Sequence, residues 1–147
     1  MMSTERENEA IFRYWFEEVW NKKQREKITE LFAPEGVAHG MGPNGTALYG
    51  PAAFLQAYDL FTGAFPDIQV IVERTVASGD IVAGLLRCEA THGGDHLGIP
   101  ATGKRVQFPV MTMARYHDGK IVEGWNVIDL MAALRQIGAM PVGDTLP

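Results

Sequence analysis

Apolar residues recur at three- and four-residue intervals near the start of the chain and at alternate positions in its second half, and the change falls near Asp67. Ile11, Phe12, Trp15, Phe16 and Val19 mark one buried face of a first helix, which Ser3 or Thr4 is placed to cap. A second, short helix is predicted over "REKITELFA", stopped by Pro34. The third, "PAAFLQAYDLFTGAF", opens at Gly50 and Pro51 and ends at Pro66; a proline in the first turn gives up no helical hydrogen bond. Beyond Asp67, "IQVIVERTVASGDIVAGLLRCEATH" and "KRVQFPVMTMARYHDGKIVEGWNVIDL" read as strands, broken by a tight turn at "SGD" and by the Asp-Gly of "HDGK", a two-residue hairpin signal. "LMAALRQIG" returns to helical spacing. The order predicts an α+β roll, a cone-shaped curved antiparallel sheet packed on three N-terminal helices.

One domain is expected over residues 1–147, since no repeat, linker or low-complexity stretch interrupts the chain. The 46% hydrophobic and 21% charged residues fit a globular protein. A formal net charge of −5 gives no reason to expect nucleic acid or an anionic membrane as partner. The one basic cluster, "NKKQREK", reads as a solvated helix junction. No apolar run approaches the ~18 residues of a membrane span, and "MMSTERENEA" has no signal-peptide core, so a cytoplasmic location is expected. The single cysteine, Cys88, agrees with that.

Candidate chemistry centres on "GWNVIDL", where Asp129 ends a strand just before helical spacing begins. By alternation Ile121, Glu123, Trp125, Val127 and Asp129 share one strand face, and Leu85, Arg87, Glu89 and Thr91 share another. If both faces line the cone, Asp129 sits in an apolar pocket with Arg87 or a histidine as partner; a β-bulge would reverse that parity. The competing reading makes Asp129 the N-cap of the last helix. The pocket wall is expected to be Trp15, Phe16, Phe54, Tyr58, Phe61, Met111, Met113 and Trp125.

Together "FPDIQVIVERTVASGDIVAGLLRCEATHGG", "LGIPATGKRVQF", "YHDGKIVEGWNVID" and "LRQIGA" resemble the SnoaL-like polyketide cyclase family of the NTF2-like fold, over Asn8 to Ala139. The resemblance implies a deep hydrophobic pocket for a small hydrophobic molecule and a homodimer or homotetramer. It also implies that Asp129 is a general acid/base, with His39 of "VAHG" and His92 of "ATHG" along the pocket.

The implied reaction, an intramolecular aldol cyclisation, needs a base, donors for an enolate and a cavity that folds the substrate. It needs no cofactor, and none is expected. His39 and His92 have a plainer reading as strand-end residues bonded to backbone. His92 and His96 in "HGGDH" have metal-ligand spacing, but two glycines argue for a turn, so no metal is expected. Two further functions stay open. An epoxide hydrolase of the limonene-epoxide type would use Arg87, Glu89 and Asp129, and a non-catalytic module would merely hold a small ligand.

Overall fold

A computed structural model describes residues 4–141. Helix α1 (Thr4–Tyr14) runs into a wider π-helical segment (Trp15–Asn21), followed by α2 (Lys27–Leu31), strand β1 (Phe32–His39), a 3-10 turn (Pro43–Gly45) and β2 (Leu48–Tyr49). Helix α3 (Gly50–Ala64) precedes four strands, β3 (Gln69–Ser78), β4 (Ile81–Thr91), β5 (Arg105–His117) and β6 (Lys120–Ile128), and α4 (Leu130–Gln136) follows. Ser3, one of the two residues placed to cap α1, lies outside the described residues.

The second half folds as its alternation predicts, into an antiparallel meander β3-β4-β5-β6 with no helix between the strands. Both turns follow from their chemistry. Gly79 between β3 and β4 takes a positive φ, and Asp118 and Gly119 both do so between β5 and β6, which is the left-handed pair a two-residue hairpin needs. The meander bends over α1 and the π-helical segment, α3 packs on β1 and β2, and burial alternates strictly along β4 and β5.

The first half departs from expectation at "REKITELFA". Only Lys27–Leu31 is helical, and from Phe32 the chain is extended and pairs parallel with β6. Thus the sheet is mixed, in the order β2-β1-β6-β5-β4-β3. Pro34, expected to stop a helix, sits where the β1–β6 register slips between Phe32 and Val37, a place where a missing N–H breaks no ladder bond. Gly40, just past β1, has φ +82 and lies against the Asn126 backbone, so closely that a Cβ there would collide with the Asn126 carbonyl.

Two side-chain amides finish strand edges. Asn21, at the end of the π-helical segment, donates to Val70 O (2.9 Å) and accepts from Val70 N–H (2.6 Å), pinning the helical layer to β3. Beyond the end of β6, Gln136 of α4 does the same for Gln107 of β5, at 2.8 and 2.7 Å. Each replaces a neighbouring strand for one residue. Asn21→Ala leaves the Val70 amide and carbonyl without these partners. It is expected to cost about 1–3 kcal/mol in denaturant unfolding, read as a lower midpoint at unchanged slope.

Candidate active site

Between the helices and the concave face of the sheet lies a cavity of about 90 Å³. Its helical side is Phe12, Trp15, Phe16 and Trp20 from the first helical stretch, with Phe54 and Phe61 from α3. The π-helical turns, which occur mostly as brief segments and often near functional sites, bring Trp15, Phe16 and Trp20 together on this side. Edge-to-face packing fixes these rings: Trp15 on Phe54 at 5.4 Å and Phe12 on Phe16 at 5.0 Å between centroids. The sheet side comes from alternate residues: Leu86 and Cys88 of β4, Phe108, Val110, Thr112, Ala114 and Tyr116 of β5, and Ile121, Gly124, Asn126 and Ile128 of β6. Phe16, Met41, Phe61 and Ile128 are only half-buried, which puts the rim beside them.

Of the expected pocket wall, Trp15, Phe16, Phe54 and Phe61 line the cavity. Tyr58 does not: it is buried in the core, and its hydroxyl donates to Val19 O at 2.8 Å. Met111, Met113 and Trp125 lie on the opposite, outer face of the sheet. Met111 and Met113 do so by the unbroken alternation of β5, and for Trp125 the cause is a β-bulge at Val122. Tyr116 pairs with Ile121 but Arg115 pairs with Glu123, so the face that begins at Ile121 continues through Gly124 and Asn126, not through Trp125. Arg87 also faces outward, between Glu89 (3.2 Å) and Glu73 (3.5 Å). The arginine does stand between two carboxylates, but it does not line the cavity.

Asp129 is exposed and caps α4, its Oδ1 accepting the Ala132 N–H at 3.1 Å, while its own N–H donates to Pro109 O. It does not line the cavity; its predecessor Ile128 does. His39 lies on the outer face. There its Nε2 meets Glu123 at 2.7 Å and its ring stacks on Trp125, while Arg115 also binds Glu123 and lies over the same indole. His92 is wholly buried beyond the cavity, its ring against Phe65. Its Nδ1 accepts the Thr102 N–H at 3.2 Å, which leaves the ring proton on Nε2, and its backbone pairs with Lys104 and Gly103. It thereby organises the segment between β4 and β5. His96 packs on Gly63, and among the described residues no three or more His, Cys, Asp or Glu side chains gather as a metal site.

What alternation alone overlooked is the polar pair inside the cavity. Thr112 donates its hydroxyl to Asn126 Oδ1 (2.8 Å), and Asn126 Nδ2 donates to the His39 carbonyl (3.0 Å). A signal was present in "RVQFPVMTMARYH": the odd-numbered positions carry Arg105, Gln107, Arg115 and His117, which marks their face as the wet one and puts Thr112 inside. The other group missed is Cys88, whose thiol burial pushes up to about 12. Folding therefore favours the neutral thiol. That contribution is complete below the unfolded thiol's range and is lost as pH rises toward about 12. A disulfide reagent at pH 8 is expected to modify Cys88 at least about a hundredfold faster in denaturant than in the native protein, read by thiolate release.

This geometry is widely shared. The family model described as SnoaL-like polyketide cyclase matches residues 10–137. Aklanonic acid methyl ester cyclase DnrD of Streptomyces peucetius is 28% identical over 122 residues, which cover 82% of this chain and 84% of that one. Its counterpart DauD of Streptomyces sp. (strain C5) is also 28% identical, over 82% and 76% of the two chains. Among solved structures, IdmH of Streptomyces antibioticus superposes with a TM-score of 0.78 at 30% identity, over 89% of this chain and 98% of its own. A SnoaL-like protein of Jannaschia sp. CCS1 gives 0.85 at 25%, over 96% and 98%. With most of its length matched by the family model and its sheet, helices and apolar cavity in the arrangement described above, the chain belongs to the SnoaL-like polyketide cyclase family.

Proposed function

We propose that the protein is an enzyme of the cyclase type that takes a small, largely apolar carbonyl compound into the cavity and closes a ring in it by acid/base chemistry. The cavity carries this reading: its wall is almost wholly hydrocarbon, and it lies in a chain whose family is one of cyclases. In an aldol closure a base removes a proton from the carbon beside one carbonyl. That carbon then attacks a second carbonyl of the same molecule, and the oxygen so formed takes up a proton. The product is an isomer of the substrate, with no oxidant or reductant consumed. The wall contributes by folding the substrate so that the two carbons meet.

Asp129 is the base in this reading, and it works from the rim. It directly follows Ile128, a half-buried residue of the cavity wall, and only Oδ1 is engaged as the cap, so Oδ2 is open to a substrate proton. Incubation with short linear diketones, followed by chromatography and mass spectrometry, tests the proposal. A ring-closed product of unchanged mass, absent without protein, is expected. The binding-module reading is favoured by one observation, that among the described residues no Asp, Glu or His lines the cavity. Saturable binding of the same diketones without any new isomer would support that reading instead.

We also propose that the outer face of the sheet packs on a second copy of the chain. Met111 and Val127 are 61% and 73% exposed, pair across β5 and β6, and adjoin Leu85, Met113 and Trp125. Around them stand Arg87 with Glu73 and Glu89, and Arg115 with Glu123. Because the rim mixes both signs, a two-fold copy can meet it with opposite charges. Val127→Lys is expected to halve the mass measured by light scattering, and a monomeric wild-type protein would refute the pairing.

A further inference from the structure

The cavity has a polar spot that neither the fold nor the proposed base accounts for. Asn126 stands on the inner face of β6, in a wall otherwise made mostly of rings and aliphatic groups. Placing an amide in such a wall costs desolvation that a valine would not incur. Its orientation is fixed by its partners. The His39 carbonyl accepts and cannot donate, so the nitrogen must face it at 3.0 Å. Oδ1 therefore faces Thr112, which donates to it at 2.8 Å. An amide nitrogen has two hydrogens, and this arrangement uses one of them. Among the described residues no acceptor takes the other.

We infer that Asn126 is the cavity's ligand anchor, its second N–H donating to the carbonyl oxygen of a small apolar ketone while Thr112 holds the amide in place. The inference rests on the proposed reading that the cavity is the ligand site, and it adds the chemical class. Ligands that fit carry one hydrogen-bond acceptor on a compact hydrocarbon body, because the rest of the wall gives polar groups little to bind. The cavity's 90 Å³ keeps that body small, since an engineered apolar cavity of about 150 Å³ takes up a benzene. In a ring closure the same N–H would stabilise the enolate oxygen, where charge develops.

The test uses two molecules of nearly one shape, cyclobutanone and methylenecyclobutane, which differ in having C=O or C=CH2. Each is titrated into the protein labelled with 15N and methyl-13C and followed by NMR. Both are expected to shift the methyl resonances of Val110 and Ile128, but only the ketone should move the free Asn126 amide proton downfield. In Asn126→Val the preference for ketone over alkene is expected to fall about fivefold, the worth of one neutral hydrogen bond. The wild-type amide signal needs no variant, so the test stands even if that substitution prevents folding. If both molecules bind and the amide proton responds equally to each, the anchor is refuted while the cavity reading survives. If neither molecule perturbs the cavity methyls, both readings fall.

Discussion

Asp129→Asn is expected to lower the rate of ring closure by about 10²- to 10⁴-fold while leaving the protein folded. The asparagine keeps an oxygen of the same reach, so the Ala132 N–H at the start of α4 remains capped. What it lacks is a group that can take a proton from carbon. Asp129→Ala loses both functions and is expected to combine the same rate loss with a cost of about 1 kcal/mol from the cap. The two variants thus separate the roles that one side chain holds. Equal activity of wild type and Asp129→Asn would make Asp129 a cap and nothing else.

Phe54→Ala is expected to have the largest effect on stability, about 3–5 kcal/mol, or a fall in Tm on the order of 10 °C by calorimetry. Phe54 is 5% exposed and its ring packs on three others: edge to face with Trp15 at 5.4 Å and Trp20 at 6.5 Å, and stacked on Phe32 at 5.3 Å. It joins α3 to the first helical layer and to β1 at once. It also lines the cavity, so truncation removes wall and enlarges the space. Small apolar compounds that fill the enlarged space should recover part of the lost stability, by binding the folded state alone. A loss below about 1 kcal/mol would mean that the wall is not a packed layer.

How much of this was legible in the sequence depends on the range of the interactions involved. The helices and the meander were, because a 3.6-residue and a 2-residue period report burial within each element and the turn residues punctuate them locally. Strand β1 was not. "FAPEGVAH" has a proline and a glycine within eight residues and earns its extended state by pairing with β6, more than eighty residues away. The site was half legible for a related reason. Trp15, Phe16, Phe54 and Phe61 reached the cavity because helical spacing survives without knowledge of partners. Trp125 falls on the outer face because a single extra residue at Val122 inverts β6 relative to its own start, whereas Met111 and Met113 share the outward face of β5 with its charged odd-numbered positions. The outer face of a sheet that carries both ions and large apolar groups imitates a pocket in sequence. Here those groups are Arg87 with its two carboxylates and the methionines beside Trp125.

Proton abstraction at the rim of the cavity is the step on which the proposed function turns, and it can be measured without knowing the natural substrate. Butanone, whose CH2 lies beside a carbonyl, exchanges slowly in neutral D2O, and its loss of that signal is read directly by proton NMR. The wild-type protein is expected to accelerate the exchange, in a manner that saturates with ketone, and Asp129→Asn is expected to return it to the rate in buffer alone. No acceleration by the wild-type protein, or equal acceleration by both, would contradict general base catalysis by Asp129.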